Sequence, residues 1–280
     1  MSNKKFPVLF TYDCDYQSLW TSRETANINR PSTLSLGNYG AYEGIPRILR
    51  ILDKYHIKGT FNTVGTMAEL FPDIVIRLYD EGHELANHGY NHVWPEKFEK
   101  KDEEAEEYFK TNEIVKKLTG HTMRGFRSPA WEFSLNTPDI LEEMGMLYSS
   151  TMMDRDSIYR PTIFGKKRNF LEIPIHWAMD DAAYWLYSTK IPGKAMQPLE
   201  AVENAFKSHF DVLYEEFKTL PDRENSCYVL TMHPQVIGLP ARARVMENVI
   251  KHIKTHDDVE FMRAIDLAER HKDLLKREDI

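Results

Sequence analysis

The chain has 280 residues, of which 42% are hydrophobic and 12% aromatic, and this composition excludes a chain that is disordered throughout. The formal net charge of -7 argues against a nucleic acid as the main partner, because binding to phosphates needs a clustered basic excess. No stretch is apolar enough for a membrane span, and the first residues lack the apolar core of a secretory signal.

The two cysteines, Cys14 and Cys227, lie far apart in the sequence. Such usage fits a reducing compartment better than a framework of disulfides. We therefore expect a cytoplasmic protein.

Short β-type runs alternate with longer helical patterns along the chain. Strands are predicted at residues 6–12, 58–63, 84–87, 123–126, 147–152, 170–176, 227–232 and 259–262. Helices are predicted at residues 44–55, 67–81, 103–118, 137–144, 199–220 and 242–255, and a long loop at residues 27–42. Parallel β/α units form either a barrel or an open doubly wound sheet, and both place their chemistry at the carboxyl ends of the strands.

Two carboxylates follow the first predicted strand. Side chains two residues apart on a strand point the same way, roughly 6 to 7 Å apart, so Asp13 and Asp15 can face one site. The alternative is an Asp-rich turn or a helix cap. The pair by itself leaves both interpretations open.

Two histidines four residues apart form a second candidate group. In an extended strand His88 and His92 would be roughly 13 Å apart, whereas one helical turn brings them to roughly 6 Å. We therefore predict a helical turn here, with both imidazoles and a carboxylate available to one metal ion. The alternative is that two of the eleven histidines fall four apart by chance.

Three further segments carry polar or aromatic side chains near strand ends: residues 127–131, residues 172–185 and residues 230–235. Arg127 can hold a carboxylate in a bidentate pair, and Pro129 and Trp131 after it are typical of a rigid groove wall. A surface salt bridge and a core tryptophan would look the same. His233 ends a strongly apolar strand, where it is either a catalytic residue or a buried cap.

Five segments taken in order resemble the five motifs of the NodB-type polysaccharide deacetylases, or carbohydrate esterase family four: TYDCD, NHGYNH, RSPAW, EIPIHW followed by DD, and TMHP. The resemblance covers about residues 6–265 and is strongest before residue 155. It implies an α/β fold in which one distorted or incomplete (β/α) barrel of about seven strands forms a single catalytic domain over residues 1–280.

The first motif departs from the family pattern, because Cys14 separates two aspartates that are adjacent in most members. In this respect the chain resembles an intracellular branch with peptidoglycan-deacetylase-like proteins, cyclic imide hydrolases and metal-independent allantoinases. Several of these relatives are tetramers, so the resemblance also implies a homotetramer.

The resemblance implies a role for each motif residue. Asp13 is expected to be the general base, oriented by Arg127, and His233 the general acid, tuned by Asp180 or Asp181. The expected ligands of a divalent metal ion are Asp15, His88 and His92. Zinc is the first choice for this nitrogen and oxygen set, with cobalt, nickel or manganese as alternatives. The expected lining of the substrate groove is Pro129, Trp131, Trp177, Tyr184 and Trp185.

The implied activity is metal-dependent hydrolysis of non-peptide carbon–nitrogen bonds, in the form of an N-acetyl sugar deacetylase of carbohydrate metabolism. The alternative is a hydrolase that opens a cyclic imide or ureide ring. A third interpretation, a non-catalytic sugar-binding relative, would require loss of the base or of a ligand, and all of them are present in the sequence. The expected partner is a small-molecule or oligosaccharide substrate.

Overall fold

The structure is a computed structural model that describes residues 4–187 and 196–276. The predicted domain also includes residues 1–3, 188–195 and 277–280, which lie outside this described part. The strands within it are β1 (Phe6–Cys14), β2 (Thr60–Thr63), β3 (Glu84–Asn87), β4 (Gly125–Phe126), β5 (Tyr148–Ser149), β6 (Thr162–Ile163), β7 (Lys166–Lys167), β8 (Leu171–Glu172), β9 (Tyr228–Met232) and β10 (Val259–Phe261).

The α-helices of the described residues are α1 (Ser18–Thr21), α2 (Pro31–Tyr39), α3 (Ile45–Lys54), α4 (Gly65–Leu70), α5 (Pro72–Asp80), α6 (Lys101–Thr119), α7 (Thr137–Glu143), α8 (Asp181–Trp185), α9 (Leu199–Thr219), α10 (Pro234–Ile237), α11 (Pro240–Ile253) and α12 (Ala264–His271). A π-helix covers Gly40–Gly44, and short 3-10 helices cover Thr25–Asn29, Pro95–Lys97, Pro129–Trp131, Trp177–Met179, Pro221–Arg223 and Lys272–Lys276. None of these helices combines the length and apolar character that a membrane crossing requires.

Seven parallel strands form a curved sheet in the order β9, β1, β2, β3, β4, β5, β8. Beyond β8, Asp180 pairs in parallel with Thr231 of β9 through one isolated bridge, so the two edges of the sheet meet. The short β10 pairs with the start of β1, while β6 and β7 form a separate hairpin. This arrangement confirms the predicted incomplete (β/α) barrel of about seven strands.

The apolar pattern of the sequence explains the layers. β1 is buried at all nine positions, as expected for a parallel strand covered on both faces. In α3 the buried residues are Ile45, Ile48, Leu49 and Leu52, the spacing that directs one helix face towards the sheet. Because the seven strands are parallel, their carboxyl ends lie together at one end of the barrel.

The predicted loop at residues 27–42 is wrong, because most of this segment is helical. Pro31 occupies the first turn of α2, where its missing N–H costs nothing. The glycines allow close packing rather than a loop. A Cβ on Gly37 would overlap the backbone of Tyr16 and Gln17, and one on Gly44 would overlap the Pro234 carbonyl.

Other differences concern element lengths. The predicted helix at residues 67–81 is two helices, α4 and α5, because Phe71 leaves the helical conformation and a new helix begins at Pro72. The strands predicted at residues 123–126, 147–152 and 170–176 pair over only two residues each, in β4, β5 and β8. The other residues of those runs precede β4 and mostly follow β5 and β8.

We predict that Gly44→Ala destabilises the protein by roughly 1 to 3 kcal/mol, because the added methyl group meets backbone that cannot rotate away. The exposed Ser35→Ala in α2 is the control, with an expected change within about 0.5 kcal/mol. Urea unfolding of both variants measures the effect. Equal stability of Gly44→Ala and the parent protein would show that the π-helix Gly40–Gly44 does not pack closely against Pro234.

A buried carboxyl joins the amino-terminal ends of several elements. Glu84 Oε1 accepts a hydrogen bond from the Tyr148 hydroxyl at 2.7 Å. Its Oε2 accepts from the Thr60 hydroxyl at 2.7 Å and from the Ile265 backbone N–H at 2.9 Å. Burial raises the pKa of Glu84 from its ordinary value of 4.5 to about 7.

Because the pKa of Glu84 is higher in the folded than in the unfolded protein, its protonated form stabilises the fold. That contribution is complete below the unfolded value and is lost as the pH rises through about 7, by up to about 3 kcal/mol. Relative to Glu84→Gln, the parent protein should therefore lose stability over this pH range. Glu81→Gln, at the surface, is the control, and parallel pH curves for Glu84→Gln and the parent would contradict the prediction.

Candidate active site

A cavity of about 370 Å³ lies at the carboxyl end of the barrel, a volume within the range of small-molecule sites, about 300 to 1,000 Å³. Eight of the thirteen residues that the sequence proposed for a site line this cavity: Asp13, Asp15, His88, His92, Trp131, Trp177, Asp180 and His233.

The Asp13 carboxylate is held by three donors. Asn62 Nδ2 and Arg127 Nη1 donate to Asp13 Oδ1 at 2.6 and 2.9 Å, and Trp131 Nε1 donates to Oδ2 at 3.2 Å. Burial raises the pKa of Asp13, but the charges of Arg127, His88 and His233 outweigh it and hold that pKa below its ordinary value. Asp13 is therefore an ionised carboxylate with Oδ2 as its less occupied oxygen.

Arg127 does not line the cavity but lies fully buried behind Asp13. Its Nη1 also donates to the hydroxyls of Thr11 at 2.8 Å and Thr231 at 3.2 Å, while its Nε donates to the Ser150 carbonyl at 2.9 Å. A buried guanidinium is tolerated only where its N–H groups are paired in this way. These contacts fix the orientation of the ion pair with Asp13.

Asp15, His88 and His92 form a compact group with metal-ligating atoms. Asp15 Oδ1 lies 3.3 Å from His88 Nε2 and 3.5 Å from His92 Nε2, and it has no hydrogen-bond partner although it is buried. These separations match the edge of a ligand tetrahedron, roughly 3.4 Å for bonds of about 2.1 Å. The group therefore fits a divalent cation.

The protonation of the two imidazoles supports the same conclusion. The Nδ1 of His88 lies 2.7 Å from the Arg127 carbonyl oxygen, which only accepts, so Nδ1 carries a proton and Nε2 is the nitrogen that faces Asp15. Burial lowers the pKa of His92 to about 4, which keeps this imidazole neutral. With both Nε2 atoms directed at the buried Asp15 carboxylate, the three side chains offer two nitrogens and one oxygen to a single cation.

The predicted helical turn between His88 and His92 is wrong. The chain instead bends after β3, with positive φ angles at Gly89 (74°) and His92 (56°), and the two rings lie 4.9 Å apart. The left-handed conformation of Gly89 and His92 turns the chain sharply, and this turn brings both imidazoles to Asp15.

A carboxylate from α6 holds this bend. Glu107 Oε2 accepts from the backbone N–H groups of Tyr90 and Asn91 at 3.0 and 2.7 Å, and its Oε1 accepts from Asn91 Nδ2 at 2.7 Å. Glu107 was not predicted. Glu107 lies on the buried face of α6, but in the sequence it looks like the exposed acidic residues around it.

His233 lies at the end of β9 with its ring fixed from behind. Its Nδ1 lies 2.8 Å from Asp181 Oδ1, and its backbone N–H donates to both Asp181 oxygens at 3.0 and 3.1 Å. Asp180 is farther, at 3.4 Å, and its Oδ1 caps α8 by accepting from Ala182 N–H. Asp181 is therefore the direct partner of the imidazole, a question that the sequence left open.

The Nε2 of His233 points into the cavity, 3.6 Å from Asp15 Oδ2 and 4.0 Å from Asp13 Oδ2. Burial opposes protonation, but the charges of Asp180 and Asp181 hold the pKa of His233 well above its ordinary value. The ring is thus a proton donor directed at the same space that Asp13 faces.

The aromatic predictions divide into two groups. Trp131 and Trp177 line the cavity and stack on each other, with ring centroids 4.1 Å apart and planes at 18°. Tyr184 and Trp185, which the sequence also proposed for the groove, do not line this cavity. Trp185 is buried against Phe206, donating through Nε1 to the Gln197 carbonyl, and Tyr184 packs on the same phenylalanine.

Pro129 is buried and does not line the cavity either. It begins the 3-10 helix Pro129–Trp131, in which Ala130 and Trp131 have positive φ angles near 57°. Pro129 therefore helps to position Trp131 rather than to bind a ligand.

Further lining residues were not predicted from the sequence. They add a cation, two acids, another indole and small apolar groups to the wall: Leu19, Arg23, Trp94, Glu96, Ala130, Glu132, Ala182 and Leu186. They come from loops and short helices beyond the strand ends, where no periodic pattern indicates which side chains turn inwards.

Comparison with known proteins places this geometry among hydrolases. The polysaccharide deacetylase family profile matches residues 37–149. The chain is 28% identical to the peptidoglycan deacetylase of Helicobacter pylori, over 98% of both chains. Its structure is similar to one from Mycobacterium smegmatis assigned to the polysaccharide deacetylases, with a TM-score of 0.86, 30% identity, and coverage of 96% of this chain and 91% of that one.

The fold is also similar to that of Puue allantoinase, with a TM-score of 0.80. That similarity extends over 96% of this chain and 90% of the allantoinase, at 23% sequence identity. At this level of identity, the likeness concerns the fold alone.

We predict that Asp15→Asn loses one equivalent of bound Zn²⁺ per chain, because the substitution removes the anion from the group with His88 and His92. Asp181→Asn is the matched control: it also changes a buried carboxylate beside His233, but it should keep this equivalent. Metal analysis by mass spectrometry after dialysis measures both variants. Full zinc content in Asp15→Asn would contradict the assignment of the ligands.

Proposed function

Because the chain belongs to the polysaccharide deacetylase family, we propose that it removes acetyl groups from N-acetylated sugars and releases acetate and an amine. The chain is accordingly an enzyme that hydrolyses carbon–nitrogen bonds other than peptide bonds. The observation that carries the proposal is the approach of Asp13 Oδ2 to His233 Nε2, 4.0 Å apart beside the Asp15 group. One cavity thus holds a base, an acid and a cation site.

Asp15, His88 and His92 would hold the divalent ion, zinc first, with cobalt, nickel or manganese as alternatives. When bound, such an ion polarises the amide carbonyl and lowers the pKa of a water molecule to about 7. The unpaired, buried Asp15 Oδ1 supports this assignment. The orientation of His88 by the Arg127 carbonyl supports it as well.

Asp13 accepts the proton of the attacking water. Its Oδ1 is occupied by Arg127 and Asn62, so Oδ2 is the oxygen available to a water in the cavity. The low pKa of Asp13 ensures that it is unprotonated at neutral pH and ready to act.

His233 donates a proton to the leaving nitrogen. An amine anion is a very poor leaving group, so cleavage of the carbon–nitrogen bond needs an acid next to that nitrogen. The Nε2 of His233 faces the cavity, and Asp181 holds the opposite nitrogen. Asp181 therefore fixes the tautomer and stabilises the charged ring, while Asp13 carries the separate role of base.

The exposed face of Trp177 supports a sugar substrate. This side chain is 46% exposed in spite of its stack on Trp131, so an apolar ring face is presented at the mouth of the cavity. Indole faces of this kind bind the faces of pyranose rings. Peptidoglycan is the substrate named for the Helicobacter pylori relative, and an oligosaccharide with N-acetylated residues has the same acyl chemistry.

The second candidate function is the opening of a cyclic imide or ureide ring. The fold similarity to Puue allantoinase favours it, and the same base and acid could serve such a ring. It ranks second because the relatives of higher identity are named deacetylases. A non-catalytic sugar-binding role ranks last, since the acid, the base and the ligand group all face one cavity.

The organisation of the chain enters the same proposal. We propose that residues 1–280 form one catalytic domain, because the seven strands share a single barrel interior. We also propose that the chain assembles into a homotetramer. In having Cys14 between its two aspartates it resembles an intracellular branch in which several relatives are tetramers. Size-exclusion chromatography with light scattering measures the assembly.

We predict that Asp13→Asn lowers kcat by roughly 10² to 10⁴, because the amide cannot accept the water proton, while zinc content stays unchanged. Asp53→Asn, at the surface of α3, is the control and should retain full activity. Acetate release from N-acetylglucosamine oligomers is measured beside ring opening of succinimide, hydantoin and allantoin. Each protein is assayed at a determined metal content.

The panel separates the candidate functions. Acetate release that Asp13→Asn abolishes supports the deacetylase. Ring opening without acetate release would move the protein to the second candidate, and turnover by Asp13→Asn at the parent rate would refute the role of the base.

A further inference from the structure

A second group of one aspartate and two histidines lies outside the active site. Asp211 belongs to α9, His252 to the last turn of α11, and His256 follows α11. Their ligand atoms all lie within 4.8 Å of one another. Asp211 Oδ1 is 2.6 Å from His252 Nε2 and 3.6 Å from His256 Nε2.

This group lies at the opposite end of the barrel from the catalytic cavity. α11 follows β9 and runs back along the sheet, so its last turn reaches the amino-terminal ends of the strands. The hydrogen bond from Phe6 N–H to the Asp258 carbonyl confirms that the chain after His256 lies beside the start of β1. A ligand bound here would not contact the residues that surround Asp13.

The donor atoms are oriented for a cation. His256 Nδ1 lies 3.2 Å from the His252 carbonyl oxygen, which accepts its proton and leaves Nε2 with a lone pair towards Asp211. Imidazoles four residues apart lie on one face of a helix or its extension. With no ion bound, the Nε2–H of His252 donates to Asp211, so a metal ion would take the place of this proton.

Aromatic contacts hold both imidazoles in place. The Phe210 ring lies 6.1 Å from the His252 ring and 5.0 Å from the His256 ring. Tyr214 packs on His256 at 5.0 Å, and its hydroxyl donates to the Asp257 carbonyl at 2.7 Å. Rings that are already fixed lose little conformational freedom when they bind an ion.

We propose that Asp211, His252 and His256 form a second site for a divalent metal ion, which would join α9 to α11. The side chains are 45%, 29% and 24% exposed, so an ion can enter from solvent and keep water as its remaining ligands. Two imidazoles and one carboxylate select ions such as Zn²⁺, Ni²⁺, Cu²⁺ or Co²⁺ over Ca²⁺ and Mg²⁺. The site is structural and independent of the proposed hydrolysis.

The test is equilibrium dialysis of the full chain against Zn²⁺, with metal counted per chain. His256→Gln should bind one equivalent fewer than the parent protein, or bind that equivalent at least about tenfold more weakly, because it loses one of three ligands. His271→Gln is the matched control. Its Nδ1 also lies near a carbonyl four residues earlier, but His271 belongs to none of the ligand groups in the described residues.

Imidazole nitrogen resonances of the parent protein give a second readout that does not depend on the folding of a variant. Zn²⁺ should shift the Nε2 signals of His252 and His256 and leave those of His271 unchanged. Hydrolysis by His256→Gln should equal that of the parent, which separates this site from the active site. Equal zinc binding by His256→Gln and the parent, or unshifted His252 and His256 signals, would overturn the proposal.

Discussion

The buried ion pair between Arg127 and Asp13 is the interaction on which the rest of the site depends. The guanidinium leaves the end of β4 and reaches Thr11 and Asp13 of β1, Thr231 of β9 and the backbone of Ser150 after β5. It therefore holds four segments together inside a barrel whose edges meet through one isolated bridge. Removal of the guanidinium would leave the buried Asp13 carboxylate without its cation, which is strongly destabilising.

The same ion pair sets the electrostatics of the cavity. Four buried carboxylates, Asp13, Asp15, Asp180 and Asp181, surround it, and Arg127 is committed to the first of them. Asp181 is engaged with His233, which leaves Asp15 with imidazole nitrogens and no hydrogen-bond donor at Oδ1. The excess of negative charge makes the Asp15 group suited to a cation.

Much of the fold could be predicted because parallel strands are continuous apolar runs and α3 carries a clear helical period. The segment at residues 27–42 could not, since glycines that permit close packing look like glycines that form loops. At the site, the pairing of His88 with His92 was expected, but the bend that achieves it depends on Glu107 from α6, a contact invisible in local sequence. The position of Trp185 in the core could not be predicted for a similar reason, because a tryptophan in the core and one in a groove have the same sequence surroundings.

Anomalous scattering at the zinc absorption edge, from crystals of enzyme shown to be active, tests whether Asp15, His88 and His92 hold the metal ion. We expect a peak at about 2.0 to 2.2 Å from the Asp15 carboxylate and from the Nε2 atoms of His88 and His92. Active enzyme without a peak between these three side chains, recorded also at the edges of cobalt, nickel and manganese, would contradict this expectation.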